Sequence, residues 1–238
     1  MAGAGDAEGR DGEASDQGPQ GDGSRADDWP PGGAAAFLPP EGMGDLAALA
    51  AAAATCRGCP LWKSGTRTVF GEGPQDARLV LVGEAPGDVE DRMGRPFVGP
   101  AGRLLGRALV AAGIPREAVY LSNAVKHFKW RPGRGRRVVR APAPAEIAAC
   151  RPWIEAELAR IAPRVLVCLG AVAAQSLLGP DVRVTRDRGR RIASPWAPAT
   201  FVTVHPSAVL RTPDPEIRDR NFAALAADLA AAAAHAGG

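Results

Sequence analysis

Cys56 and Cys59 form a C-x2-C pair, ninety residues separate Cys59 from Cys150, 17 separate Cys150 from Cys168, and no cysteine is left over. Four thiols in a chain without a secretory signature argue for ligation rather than disulfides, because cytosolic thiols stay reduced. A structural zinc site usually takes its ligands from two short-spaced knuckles, and the second pair here is not one. The spacing therefore suits a cubane cluster held by four thiolates, with zinc and buried free thiols as the alternatives. Three further groups could do chemistry. The stretch Gly83–Gly102, GEAPGDVEDRMGRPFVGPAG, offers Glu84, Asp88, Glu90 and Asp91 as carboxylates and Phe97 as a flat apolar face. Ser122-Asn123 offers an amide, and His205-Pro206-Ser207 an imidazole.

The elements that must position these groups are legible as alternating apolar runs and helical patterns. Arg78–Val82, Val119–Asn123, Arg164–Gly170 and Thr200–Val204 read as buried strands. Asp45–Thr55, Arg103–Val110, Pro144–Ile161, Ala171–Leu178 and Pro215–His235 read as helices, which puts Cys150 on a helix and Cys168 on a strand. Strands alternating with helices predict an α/β fold, a single-domain three-layer αβα sandwich around a central, mostly parallel sheet. Each of the three polar groups begins where a strand stops, and in such a sheet those ends share one edge, where ligands bind. Alone, Asn123 could be a turn residue, His205 a satisfied histidine and the Gly-Pro loop a plain connection. Their joint placement argues for one pocket.

Charge points to a polyanion. Residues 1–29 carry eight acidic residues against two arginines, so the +3 of the whole chain conceals about +9 over the remainder. Residues 1–40 are expected to be a disordered acidic tail, and residues 41–238 the folded domain. Lys126–Arg140, KHFKWRPGRGRRVVR, reads as a basic loop with seven Lys or Arg, no acid, and Phe128 and Trp130 among them. Such a loop is either a solvated charged segment or a nucleic-acid contact. A second basic patch runs from Arg183 to Arg191. No stretch has the pattern of a signal peptide or a membrane span, and the expectation is a cytoplasmic monomer with no membrane partner.

In combination, the C-x2-C pair, GEAPG followed by GRPFVGPAG, Asn123 in SNAVK, the Cys150 and Cys168 spacing, and HPSAVLR from His205 to Arg211 resemble the iron–sulfur uracil-DNA glycosylases, family four and the related UdgX proteins. The resemblance covers Cys56 to Arg211. It implies a uracil-DNA glycosylase-like domain in which Cys56, Cys59, Cys150 and Cys168 hold a [4Fe–4S] cluster, and an enzyme that hydrolyses the N-glycosidic bond of uracil in single- or double-stranded DNA to start base excision repair. Phe97 would stack on the uracil, Asn123 would pair with its O4 and N3 edge, and Ala85, Gly87 and Glu90 would lie beside the base. His205 would hydrogen-bond the developing oxyanion at O2. Glu84 and Asp88 would stabilise the cationic sugar and activate water, without the sequence deciding which is the base. Lys126, Arg136, Arg137, Ser207 and Arg211 would contact DNA, and Leu210 would act as a wedge.

The closer match is UdgX, whose basic loop carries Arg-Arg-Ile-His with a histidine that attacks the sugar and traps the protein on DNA. Aligned on Pro142, this chain places Arg136-Arg137-Val138-Val139 there, so Val139 stands where that nucleophile would be. Ala85 is the family-four residue where UdgX commonly has glutamine. The expectation is a UdgX-like framework that releases uracil with water. The alternatives are a lesion-binding module with little turnover, and covalent trapping by another residue, for which His127 lies twelve positions early.

Overall fold

The computed structural model describes residues 29–40 and 45–237. In chain order its elements are α1 (Leu46–Ala53), α2 (Leu61–Ser64), β1 (Leu79–Gly83), α3 (Asp88–Met93), α4 (Pro100–Ala111), β2 (Val119–Asn123), β3 (Trp130–Gly133), β4 (Arg136–Val139), α5 (Pro144–Ile161), β5 (Val165–Leu169), α6 (Ala171–Leu178), α7 (Val184–Asp187), β6 (Arg191–Ile192), β7 (Ala199–Thr203), α8 (Pro206–Leu210) and α9 (Pro215–Ala233). Five strands form one sheet in the order β2-β1-β5-β7-β6, all pairs parallel except β6 against β7. The α/β reading of the sequence holds, as do its four main strands, with ends shifted by no more than about one residue.

These strands are apolar on both faces because both faces are covered. Val80, Val82, Leu166, Cys168 and Val202 point to a core shared with α1, α5 and α6, and this core contains all four cysteines. Leu79, Leu81, Val165, Val167 and Phe201 point the other way, against α4 and α9. The chain winds from β1 outward to β2 and then returns across β1 to β5, so the strand order reverses beside β1. That reversal opens a crevice at the carboxyl ends of the strands.

Three expectations change. Gly83–Gly102 is not loop throughout: Asp88–Met93 is a helix, and α4 starts at Pro100, whose fixed φ suits a first helical position. The basic stretch 126–140 is not a loop either. Its second half is the antiparallel hairpin β3–β4, with Trp130 opposite Val139 and Arg131 opposite Val138. The expected tail of residues 1–40 ends early: Gly33–Phe37 form a 3-10 helix with Ala34 buried. This helix packs so closely on the Cys56–Cys59 turn that a Cβ on Gly58 would lie 2.5 Å from the Ala34 nitrogen. Residues 1–28, with the acidic run, lie outside the described residues. Among those described, no helix is long and apolar enough to cross a membrane.

Candidate active site

Gly83 ends β1 directly beside Asn123, the last residue of β2. Past that point the two chains stay joined, Ala124 N–H donating to Gly83 O at 2.9 Å and Val125 N–H to Glu84 O at 3.0 Å. The pairing fixes the backbone under both functional side chains. A Cβ on Gly83 would stand 2.5 Å from Asn123 Oδ1, 2.6 Å from Phe97 Cζ and 3.4 Å from His205 Nε2. Three side chains spread over more than a hundred positions thus meet above one glycine, and only glycine leaves them room. They line a cavity of about 650 Å³ together with Glu84, Ala85, Gly87 and Asp88, rimmed by Val89, Val139, Leu210 and Arg211.

Phe97 reaches this point through a left-handed backbone, φ 55°, which costs a non-glycine residue about 1–3 kcal/mol and is held by its surroundings. Gly102 in α4 makes it feasible, since a Cβ there would sit 1.8 Å from the Phe97 carbonyl oxygen. Glu90 lies in the wall but is buried, and its Oε1 accepts the Gly99 N–H at 2.7 Å. It braces the two ends of the loop around Phe97.

His205 follows β7 and caps α8. Its Nδ1 accepts the Ser207 N–H at 3.2 Å, so that nitrogen carries no proton and Nε2 is the N–H that faces the cavity. Ser207 Oγ lies 2.8 Å from the same Nδ1 and accepts from Arg211 Nη1 at 3.1 Å. Burial, helped by the Arg211 charge, lowers the His205 pKa to about 4. The ring is a neutral donor at neutral pH. Glu84 is also pushed by burial, upward from the usual carboxylate range, with Arg211 opposing. No side chain among the described residues bonds its carboxylate.

Asp88 stands in a different environment. Its Oδ1 lies 2.5 Å from Arg137 Nε and its Oδ2 3.2 Å from Arg92 Nε. Arg137 also reaches Asp91 Oδ2 at 2.6 Å and lies over the rings of Phe128 and Trp130. Expected as a phosphate contact, Arg137 instead latches the hairpin to α3, its donors taken by two carboxylates, the Thr66 hydroxyl and the Asp88 carbonyl. Lys126, expected on DNA, is fully buried and paired with Glu157 at 2.5 Å. The run Ala124–Phe128 is buried throughout, so its basic residues were never on the surface. Ser207 is turned toward His205. Leu210 and Arg211 are exposed and line the cavity, and Arg136 is exposed on β4 outside the lining. His127 Nε2 lies 3.0 Å from Thr68 Oγ1 and is not part of the cavity wall.

The four cysteines are unpaired and buried in one core. Burial raises Cys59 to about 11 and Cys150 and Cys168 to about 12, so these three would be protonated thiols in a bare site. Among the described residues, no three His, Cys, Asp or Glu side chains stand close enough to share a single metal ion. An all-thiol set spread around an apolar core suits a larger group that several thiolates span. The buried indole N–H groups of Trp29 and Trp153, both packed in this core, have no hydrogen-bond partner, which suits a group rich in sulfur acceptors.

Glu157 went unread in the sequence, because a glutamate inside α5 looks like surface charge until its partners are known, and Ser122 was read only together with Asn123. Gly83 as the hub could have been found: a glycine ending an apolar strand marks close approach.

Residues 70–230 match the model of the Uracil DNA glycosylase superfamily. The chain is 43% identical over 164 residues to a type-4 uracil-DNA glycosylase of Thermotoga maritima, covering 68% of this chain and 82% of that protein. It is 39% identical over 166 residues to the type-4 enzyme of Archaeoglobus fulgidus, covering 67% and 80%. A type-5 uracil-DNA glycosylase of Thermus thermophilus is 36% identical over 137 residues, covering 51% and 58%. With a cavity built at the strand ends inside the matched segment, this chain belongs to the uracil DNA glycosylase superfamily.

Proposed function

We propose that this protein excises uracil from DNA by hydrolysing the N-glycosidic bond, and that Glu84 activates the water. The observation that carries the reading is the meeting of Asn123, Phe97 and His205 above Gly83. Uracil inside a duplex is unreachable, so the nucleotide is extruded or taken from a single strand. Phe97 stacks on the ring, and the Asn123 amide, acceptor and donor together, matches N3–H and O4. Cytosine reverses that pattern and would leave a buried polar group unpaired, at a cost of about 1–3 kcal/mol.

Cleavage sends negative charge onto the departing base. The His205 Nε2–H supplies a fixed donor for it, and a neutral imidazole strengthens its bond as the charge grows. Glu84, raised by burial and unpaired, suits proton abstraction from water. Asp88, tied to two arginines, suits a holding role at the start of α3 and adds a negative charge near the sugar cation. Val139 at the rim offers no nucleophile, and His127 lies away from the cavity, so attack by water accounts for the inventory. Exposed Arg136 and Arg211 suit phosphate contacts, with Leu210 next to Arg211 as the wedge.

Cys56, Cys59, Cys150 and Cys168 would hold a [4Fe–4S] cluster. When bound, it would tie the α1–α2 turn, α5 and β5 together. The free thiols suit a cytoplasmic protein, and one chain carrying a whole pocket suits a monomer. Incubation with uracil-containing single-stranded DNA followed by alkali should break the strand at the uracil, and Glu84→Ala and His205→Ala should lose that product. DNA binding without strand breaks in the wild type would make it a lesion-binding module instead.

A further inference from the structure

The chemistry above leaves the most deeply buried ionic group of the molecule without a role. Lys126 and Glu157 are both wholly inaccessible to solvent, with Nζ and Oε2 2.5 Å apart. An ammonium has three donors, and the structure places a partner at each: Glu157 Oε2, Ser122 Oγ at 2.7 Å and the main-chain carbonyl of Asn123 at 2.8 Å. Glu157 in turn accepts from Ser122 Oγ at 2.7 Å, Tyr120 OH at 3.1 Å and Gly71 N at 2.9 Å. Three successive polar contacts on β2, at Tyr120, Ser122 and Asn123, therefore converge on one ion pair that comes from outside the strand. The Lys126 N–H also donates to Cys150 Sγ at 3.2 Å, joining this network to the cysteine core.

A buried pair of this kind is not a good source of stability, because desolvation cancels much of the attraction and apolar residues of similar volume often do as well. Its use is geometric. The Asn123 amide must hold its acceptor and donor in one plane against the base edge, and a small rotation loses both bonds. The pairing with β1 holds the backbone around Asn123, and Lys126 adds a hold on its carbonyl.

We propose that the Lys126–Glu157 pair is a positioning device for Asn123, setting the orientation in which that residue reads the base. Lys126 and Glu157 touch no substrate and act only through β2. The inference rests on the reading of Asn123 as the base-reading group.

The test is a double-mutant cycle on single-turnover uracil release. Lys126→Met/Glu157→Gln removes both charges without stranding either, and is made in the wild-type and Asn123→Ala backgrounds. The expected result is a loss of about tenfold or more in the wild-type background and less than about twofold in the Asn123→Ala background, with thermal unfolding still cooperative. Equal losses in both backgrounds, or no loss in either, would overturn the proposal. If the pair variant does not fold, Ser122→Ala, which deletes two bonds of the network and leaves the ion pair itself, carries the same comparison: a loss confined to the background with Asn123 supports the device, and equal or absent losses overturn it. A fully active Asn123→Ala protein would instead sink the reading of Asn123 itself, and the device with it.

Discussion

The two walls of the cavity handle charge in opposite ways. On the hairpin side, Asp88 and Asp91 are matched by Arg137, and Arg137 is sandwiched near two aromatic rings. On the Gly83 side, Glu84 has no ionic partner and His205 bonds only Ser207 through its ring, so burial is the first cause of both pKa shifts, with the Arg211 charge second. Paired charges hold structure in place, and unpaired buried ones are poised to change state or to bond a substrate. The difference supports the proposal that the chemistry belongs to the Gly83 wall, with the hairpin wall as a clamp.

Substitution across the two walls sharpens this most. Glu84→Gln and His205→Ala should each slow single-turnover uracil release by about 10²-fold or more. Asp88→Asn, which retains the shape and one acceptor oxygen, should cost about tenfold or less. Equal losses for Glu84→Gln and Asp88→Asn would erase the contrast. Lys126→Met alone strands Glu157 and should lower unfolding free energy by about 3–5 kcal/mol in denaturant titration.

Acidity gives a smaller and graded effect. The folded pKa values of His205 and His127 lie near 4, below the ordinary 6.5, and burial is the first cause of both. Between those values the unfolded chain binds the extra protons, so stability should be full above about pH 6.5 and fall as pH drops toward 4. Thermal midpoints measured across that window check this, and His127→Gln should flatten part of the slope. Activity should fail on its acid side at a pH above the ordinary glutamate range, because Glu84 must be ionised to take a proton and its pKa is raised. The smallest effect belongs to the exposed Arg151–Glu155 pair on α5: Arg151→Ala should leave stability within about 0.5 kcal/mol.

Much of the Gly83 wall was legible in the sequence. Glu84, Asn123 and His205 each follow an apolar run that could only be a buried strand, and a parallel sheet brings such ends together. The hairpin wall was not. Arg137 and Lys126 sit in a run of like residues, and nothing local distinguishes an exposed base from one whose partner, Asp88 or Glu157, lies 31 or more positions away. The hairpin itself was hidden because charge interrupts the apolar alternation of β3 and β4. Helix α3 was hidden for a similar reason, as four of its six residues are charged and it buries Glu90 and Asp91 instead of apolar groups.

Water as the attacking group is the claim on which the assignment of Glu84 depends, and one reaction tests it. Wild-type protein is incubated with end-labelled, uracil-containing single-stranded DNA, and the mixture is resolved on denaturing gels before and after alkali. Free uracil, an alkali-labile site and protein that migrates unmodified are the predicted result. A heat-stable protein–DNA band, or DNA that keeps its uracil, would contradict it.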